Sequence, residues 1–353
     1  MKKQIMTACV LLALTSLQAH DFSVTGNGQT LYFSVTDSIH HHVAVTFEGK
    51  AADASRPKAV SGIVEIPARV SYGKRTYQVT GIADKAFCNA DQLEGIVMPS
   101  GLTAIGAFAF EGCQRLQTVI FPSNEVTVGE GAFFRCPSVS RVSIGTEWTG
   151  VDLRMFRWSD SLAELNIPAR LRRLHNLKAL RRLERITVDG ASPYYRSVDG
   201  MLYNADATQL LACPRAYAGK VVVAEGATAV ARDAMSDCLE VTEVELPASL
   251  ATLCYREFSR MGRLTSVTFK SAAPIATALH GGKQVFALQV RPAVTVNVPK
   301  DALKDYKQQL VGEAGEYSLL DTHDTLNLPV SLQAGQLAQP TQLKAVKTQP
   351  DKQ

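Results

Sequence analysis

A phenylalanine-led block returns every 23 residues in the first half of this chain, and few architectures accept so strict a period. Read from Ala86, successive blocks run AFCNADQLEGIVMP, AFEGCQRLQTVIFP, AFFRCPSVSRVSIG and MFRWSDSLAELNIP, with the aromatic at Phe87, Phe110, Phe133 and Phe156. Three positions on stands Ala90, Cys113, Cys136 or Ser159, and three further an aliphatic: Leu93, Leu116, Val139 or Leu162. Two apolar residues spaced by two close the block, as in Val119 and Phe121 or Leu165 and Ile167. The pattern continues, damaged, through Leu177, Leu180, Leu183, Ile186 and Val188. It is restored at Met235, Cys238, Val241, Val244 and Leu246, and again at Phe258, Met261, Leu264, Val267 and Phe269. About seven turns are readable, and the chain is expected to be a solenoid. Half-repeats stand at Ile63–Ile66, Val221–Val223 and Val294–Val298.

Physical chemistry says why such a block makes one turn. The closing segment alternates in period two, placing both apolar side chains on one face of a short strand. Pro99, Pro122, Pro168 and Pro247 end these strands, because proline cannot donate to the next ladder bond. The three-and-three spacing of Phe, small residue and Leu predicts one or two helical turns laid against the strand. One block alone cannot bury its apolar side, so stacked neighbours must cover it. Phe133→Ala is therefore expected to destabilise strongly and a change at exposed Arg141 hardly at all.

Ile105, Ala109, Phe110, Cys113, Leu116, Val119, Phe121 and Pro122 together resemble the repeat of the BspA-like class of leucine-rich-repeat proteins. Ser192–Pro214 is similar to the hairpin insert those proteins carry between repeats, and Val296–Gln308 to their closing strand and capping helix. The resemblance implies a β-rich α/β solenoid: a right-handed coil of short parallel strands with helical or irregular convex segments and an N-terminal β cap. It also implies a non-enzymatic secreted or cell-surface binding protein, an adhesin-type scaffold for an extracellular or host matrix protein.

The expected organisation has five parts. Residues 1–19 read as a signal peptide, with Lys2 and Lys3 before the apolar run Ile5–Leu14 and cleavage after Ala19. Residues 20–62 alternate polar and apolar residues around turn signals and read as a β meander capping the first turn. Residues 63–300 form the solenoid with the insert at 192–214, residues 301–325 a capping helix region, and residues 326–353 a disordered polar tail. No stretch has the roughly 18 apolar residues of a membrane helix. The expectation is export, to the medium or the outer surface, with the periplasm as the alternative.

Six cysteines remain after the leader. Cys113, Cys136 and Cys238 share one inward slot and read as buried free thiols, while Cys88 and Cys254, off that slot, read as the more reactive pair. His40-His41-His42 reads as a polar strand surface rather than a metal site, since no third ligand stands at a suitable spacing. No nucleophile elbow, zinc-protease helix, phosphate loop or calcium loop is present in the sequence, so no enzyme, cofactor or metal is expected.

Charge gives one lead to a partner. With 37 basic against 33 acidic residues, nucleic-acid binding is not implied. From Arg154 to Arg185, however, nine basic residues face three acidic ones: Arg154, Arg157, Arg170, Arg172, Arg173, Lys178, Arg181, Arg182 and Arg185. Stacked on successive turns, they are expected to form a basic band for an acidic glycan or protein, with Trp148 and Trp158 beside it as candidate aromatic contacts.

Overall fold

The computed structural model describes residues 18–26, 28–56, 58–254, 257–258, 260–273, 276–278, 295–302, 304–305 and 343–346. Residues 1–17 of the expected leader, most of the capping-helix region and most of the expected polar tail lie outside these residues. The described residues form a β-solenoid of about eight turns with almost no helix among them. It divides into two compact units, residues 1–162 with 170–180, and residues 163–169 with 181–353.

In the first unit, strands Ser61–Glu65, Gln92–Val97, Thr118–Ile120 and Arg141–Ser143 make a parallel sheet, one strand per turn. Val64, Ile96 and Val119 are paired in register and buried beneath it. A second parallel ladder joins Arg75–Ile82, Ala104–Ile105 and Thr127–Val128. Ahead of it, Phe22–Gly26, Gln29–Asp37 and His42–Thr46 form an antiparallel meander, whose last strand pairs in parallel with Arg75–Ile82. Phe22 packs on Phe33, Tyr72 and Tyr77, which ties the meander to the Arg69–Tyr72 hairpin strand.

The remaining wall carries the phenylalanines, stacked as a column: Phe87 on Phe110 at 5.0 Å, Phe110 on Phe133 at 4.9 Å, and Phe133 on Phe156 at 5.1 Å between ring centres. This wall is made mostly of turns where helical turns were expected, and the one helical turn along the column is a 3-10 turn at Leu153–Phe156. Phe87 N–H donates to Ala109 C=O on the next turn, Phe110 N–H to Ala132 C=O, and Phe133 N–H to Met155 C=O. Amides committed between turns cannot also close a helix, whose bonds run within one segment. The three-and-three spacing instead reflects local turns, in which Ala90 N–H donates to Phe87 C=O and Leu93 N–H to Ala90 C=O. Corners two residues before and after the buried aromatic take left-handed backbone: Lys85 and Asn89, Phe108 and Gly112, Gly131 and Arg135.

The small slot is polar for a reason. Cys113 Sγ donates to Phe87 C=O at 3.1 Å, Cys136 Sγ to Phe110 C=O at 3.0 Å, and Ser159 Oγ to Phe133 C=O at 3.0 Å. A short donor here satisfies a carbonyl of the preceding turn, so serine replaces cysteine in a slot otherwise read as apolar.

The second unit has the same two ladders. Gly219–Val222, Val241–Leu246, Ser266–Phe269, Thr295–Pro299 and Leu343–Val346 are parallel in that order. The last of these strands falls inside the stretch expected to be a tail. Gln209–Ala212, Ala229–Val230, Thr252–Cys254 and Ala276–Ala278 form the other ladder, and Glu164–Ile167 pairs with Arg185–Val188. Tyr195–Val198 and Met201–Asn204 are an antiparallel hairpin paired onward to Gln209–Ala212. Met235, Cys238, Phe258, Met261, Leu264 and Val267 lie in one buried core.

Candidate binding surface

A strand with one face in the core turns every second side chain outward. In the first unit, Glu65, Val97, Ile120 and Ser143 stand side by side on that outer face, and Gly95, Thr118 and Arg141 form the adjoining column. Val97 is 38% exposed, Ile120 44%, and Ile63, which lies over Gly95, 69%. A Cβ at position 95 would come within 3.4 Å of Ile63 Cγ1, so the glycine lets the isoleucine lie flat on the sheet. Three β-branched aliphatic side chains thus face water together.

The same outward position in the second unit holds Asn166, Val222, Glu245 and Thr268, of which Val222 is an exposed aliphatic. There the face neutralises itself: Lys220 Nζ lies 2.5 Å from Glu245, and Lys270 Nζ bridges Glu245 at 2.6 Å and Glu225 at 2.8 Å. Hydrogen bonds from the two lysines lower the Glu245 pKa against the opposing effect of burial. The contrast was present in the sequence, where GIVMP and TVIFP carry an aliphatic between the inward residues while LNIP, VELP and VTFK carry a polar one.

The expected basic band is divided. Arg154, Arg157, Arg170, Arg172, Arg173 and Lys178 belong to the first unit, and Arg181, Arg182 and Arg185 to the second. All nine are exposed. Arg154 is held by Asp152 at 2.7 Å, and Asn176 donates to the same carboxylate. Burial opposes ionisation of Asp152, but hydrogen bonds from Arg154 and Asn176 outweigh it and hold the pKa at about 2. Arg170 is ion-paired with Glu147, Arg173 Nη2 reaches Thr149 Oγ1 at 3.4 Å, and Arg157 lies 5.9 Å from the Trp158 ring. Trp158 is exposed. Trp148 is not a surface contact: it is 1% exposed, and its indole N–H donates to Asn124 C=O at 2.8 Å and Pro122 C=O at 3.2 Å.

Two other sequence expectations change. The thiol of Cys88 was read as reactive, yet it is buried, and desolvation followed by the neighbouring Glu111 charge raises its pKa against the pull of Lys58. The side chain of Cys254 lies outside the described residues. His40, His41 and His42 do not share a strand: His41 sits in a left-handed turn, and the strand begins at His42. His40 Nδ1 is 2.7 Å from Asp37 Oδ2, and hydrogen bonds from His40 lower the Asp37 pKa to about 2. Among the described residues, no group of three or more His, Cys, Asp or Glu side chains could hold a metal ion. No helix among them is long and apolar enough to cross a membrane.

Residues 78–187 and 217–278 match the profile of the BspA type leucine rich repeat region in six copies. No curated protein sequence matches the chain. Solved structures that resemble it include the pneumococcal vaccine antigen PcpA, at 16% identity and a TM-score of 0.46 over 93% of this chain and 100% of that one. A leucine rich cell surface protein from Faecalibacterium prausnitzii is 17% identical, with a TM-score of 0.39 over 89% and 98%. A leucine rich repeat protein of T. pallidum is 17% identical, with a TM-score of 0.35 over 68% and 82%.

Proposed function

From a chain that belongs to the BspA-type leucine-rich-repeat family, we propose a non-enzymatic binding scaffold of the bacterial surface or its surroundings, which adheres to an extracellular or host matrix protein through the outer strand face of its first turns. The leader, residues 1–19, is the export signal in this reading. The observation that supports it is the cluster of exposed Val97, Ile120 and Ile63 on that face, where the second unit carries Asn166, Glu245 and Thr268 with the single exposed aliphatic Val222. Contiguous exposed apolar groups on an otherwise polar protein mark interaction sites. A rigid sheet loses little conformational freedom when it is covered, which favours binding per contact made.

The family's scaffolds act by display of side chains, and no cofactor or metal enters the reading. An acidic polysaccharide is the weaker partner class, because Arg154 and Arg170 are already engaged by carboxylates. Ile120→Lys and the double charge reversal Arg172→Glu, Arg173→Glu separate the two. Loss of binding to immobilised matrix proteins in Ile120→Lys alone supports the strand face. Loss in the double reversal alone would replace it with the basic residues.

A further inference from the structure

Among the described residues, strand Ser61–Glu65 pairs with Gln92–Val97 on one side and is the last strand of its sheet. Ile66 N–H donates inward to Val97 C=O, and by alternation the backbone groups of Val64 point the same way. Those of Ile63 and Glu65 therefore point to the free edge. So does the carbonyl of Ser61, and it is met by a side chain: Gln29 Nε2 donates to it at 2.8 Å. The amide of Gln29 stands where the N–H of another strand would stand, and its other end, Oε1, is buried without a hydrogen-bond partner.

Beside this edge runs a groove of about 680 Å³. It is lined by Val24 and Leu31 of the meander and by Ile63, Pro67 and Val70. Glu65 and Arg69 lie along it as well, and among the described residues no ion pair involves either side chain. The groove thus offers alternating backbone donors and acceptors, an apolar slot and a pair of opposite charges. Side-chain recognition alone would leave the donors and acceptors of Ile63 and Glu65 facing the ligand unmatched. An extended backbone matches both, and at about 3.3 Å per residue five to seven residues cover the edge.

We propose that the Ser61–Glu65 edge adds a strand from a partner protein: an extended segment with an apolar residue for the slot, a basic residue facing Glu65 and an acidic residue facing Arg69. The proposal rests on the scaffold reading above and specifies how part of the partner is held. Added to the edge, the segment continues the sheet whose outer face carries Val97 and Ile120. Backbone pairing supplies affinity, and the slot and the two charges supply selectivity.

The test uses the full chain and capped seven-residue peptides of alternating valine and threonine, with lysine and glutamate at the two ends in both orders. Amide hydrogen exchange is read residue by residue. One order is expected to slow exchange at Ile63 and Glu65 by about tenfold or more while leaving Val64, already bonded within the sheet, unchanged. N-methylation of the peptide's edge-facing amides is expected to abolish the effect, and Ile63→Lys to weaken binding about tenfold, which corresponds to about 1.4 kcal/mol. Ile63 is exposed, so this variant keeps its fold. The proposal is overturned if neither order protects Ile63 and Glu65, or if the N-methylated peptide binds as well as its parent. Self-association that disappears in Ile63→Lys, with no peptide binding, would give the edge to a second copy of the chain and equally overturn it. If Ile63→Lys leaves matrix-protein binding intact while Ile120→Lys removes it, the edge proposal fails and the scaffold reading stands.

Discussion

Phe133→Ala tests the aromatic column where it is most crowded. Phe133 stacks on Phe110 at 4.9 Å and Phe156 at 5.1 Å, and meets Phe121 edge-on at 5.7 Å, with no exposure to water. Removing the ring forfeits about 1.5–3 kcal/mol of burial. The cavity left between two turns adds to this, because carbonyl and amide bonds from Phe133 to neighbouring turns hold the backbone apart and prevent collapse. The sum is about 3–5 kcal/mol. Phe87 has a stacked partner on one side, so Phe87→Ala is expected nearer the lower figure. Urea unfolding followed by circular dichroism supplies the midpoints, compared at constant slope so that the change is one of stability rather than of denatured-state compactness. Arg141→Ala, on the exposed outer face, is the reference and is expected within about 0.5 kcal/mol of wild type. If Phe133→Ala and Arg141→Ala unfold at the same denaturant concentration, the inward register is wrong and with it the assignment of every outward residue.

Three further outcomes are expected. Cys88, Cys113, Cys136, Cys213 and Cys238 are buried, so their thiols should resist a thiol reagent in the native protein and react on unfolding; fast native reaction at Cys88 would contradict its buried placement. Glu257 is buried with one oxygen accepting from Asp233 N–H at 2.9 Å and the other unpartnered, and desolvation raises its pKa to about 8. A carboxyl raised above its unfolded value binds a proton more tightly when folded, so stability falls as pH rises from about 4.5 to 8, by up to about 1.4 kcal/mol per unit. Glu257→Gln should flatten that slope in denaturation at pH 5 and 8.5, and an unchanged slope would refute the assignment. Arg135 holds φ at 56°, so Arg135→Gly should be neutral to about 1 kcal/mol stabilising while Arg135→Val destabilises by about 1–2 kcal/mol; the reverse order in thermal unfolding would remove the left-handed corner.

The repeat positions were legible because burial dictates residue type at a fixed spacing: Phe110, Cys113, Leu116 and Val119 are all fully buried. The turn-built wall was less so. Spacing of three is shared by helices and by the i to i−3 turns found here, and it carries no sign that Phe110 N–H bonds to the following turn. The hydrogen-bonding role of Cys113 was hidden by a residue that also behaves as a small hydrophobe. Its replacement by Ser159 was the available clue. The charge of the basic stretch was legible but its pairing was not, because a window opening at Arg154 leaves out Asp152 and Glu147, the carboxylates that engage Arg154 and Arg170. Trp148 was read for its chemistry alone, whereas the turn at Gly145 folds it inward onto Pro122 and Asn124. Val97 and Ile120 carry no repeat signal, because burial constrains only the inward positions on either side of them.

In the proposed function an apolar strand face, and not the basic residues, engages the partner. Binding of the full chain to immobilised matrix proteins and to a sulfated polysaccharide, titrated from low salt to about 0.15 M, tests it most directly, because contacts between exposed charges fade with screening and apolar burial does not. The account predicts saturable protein binding that persists at the higher salt and is lost in Ile120→Lys. Binding confined to the polysaccharide, lost with salt and unaffected by Ile120→Lys, would contradict it.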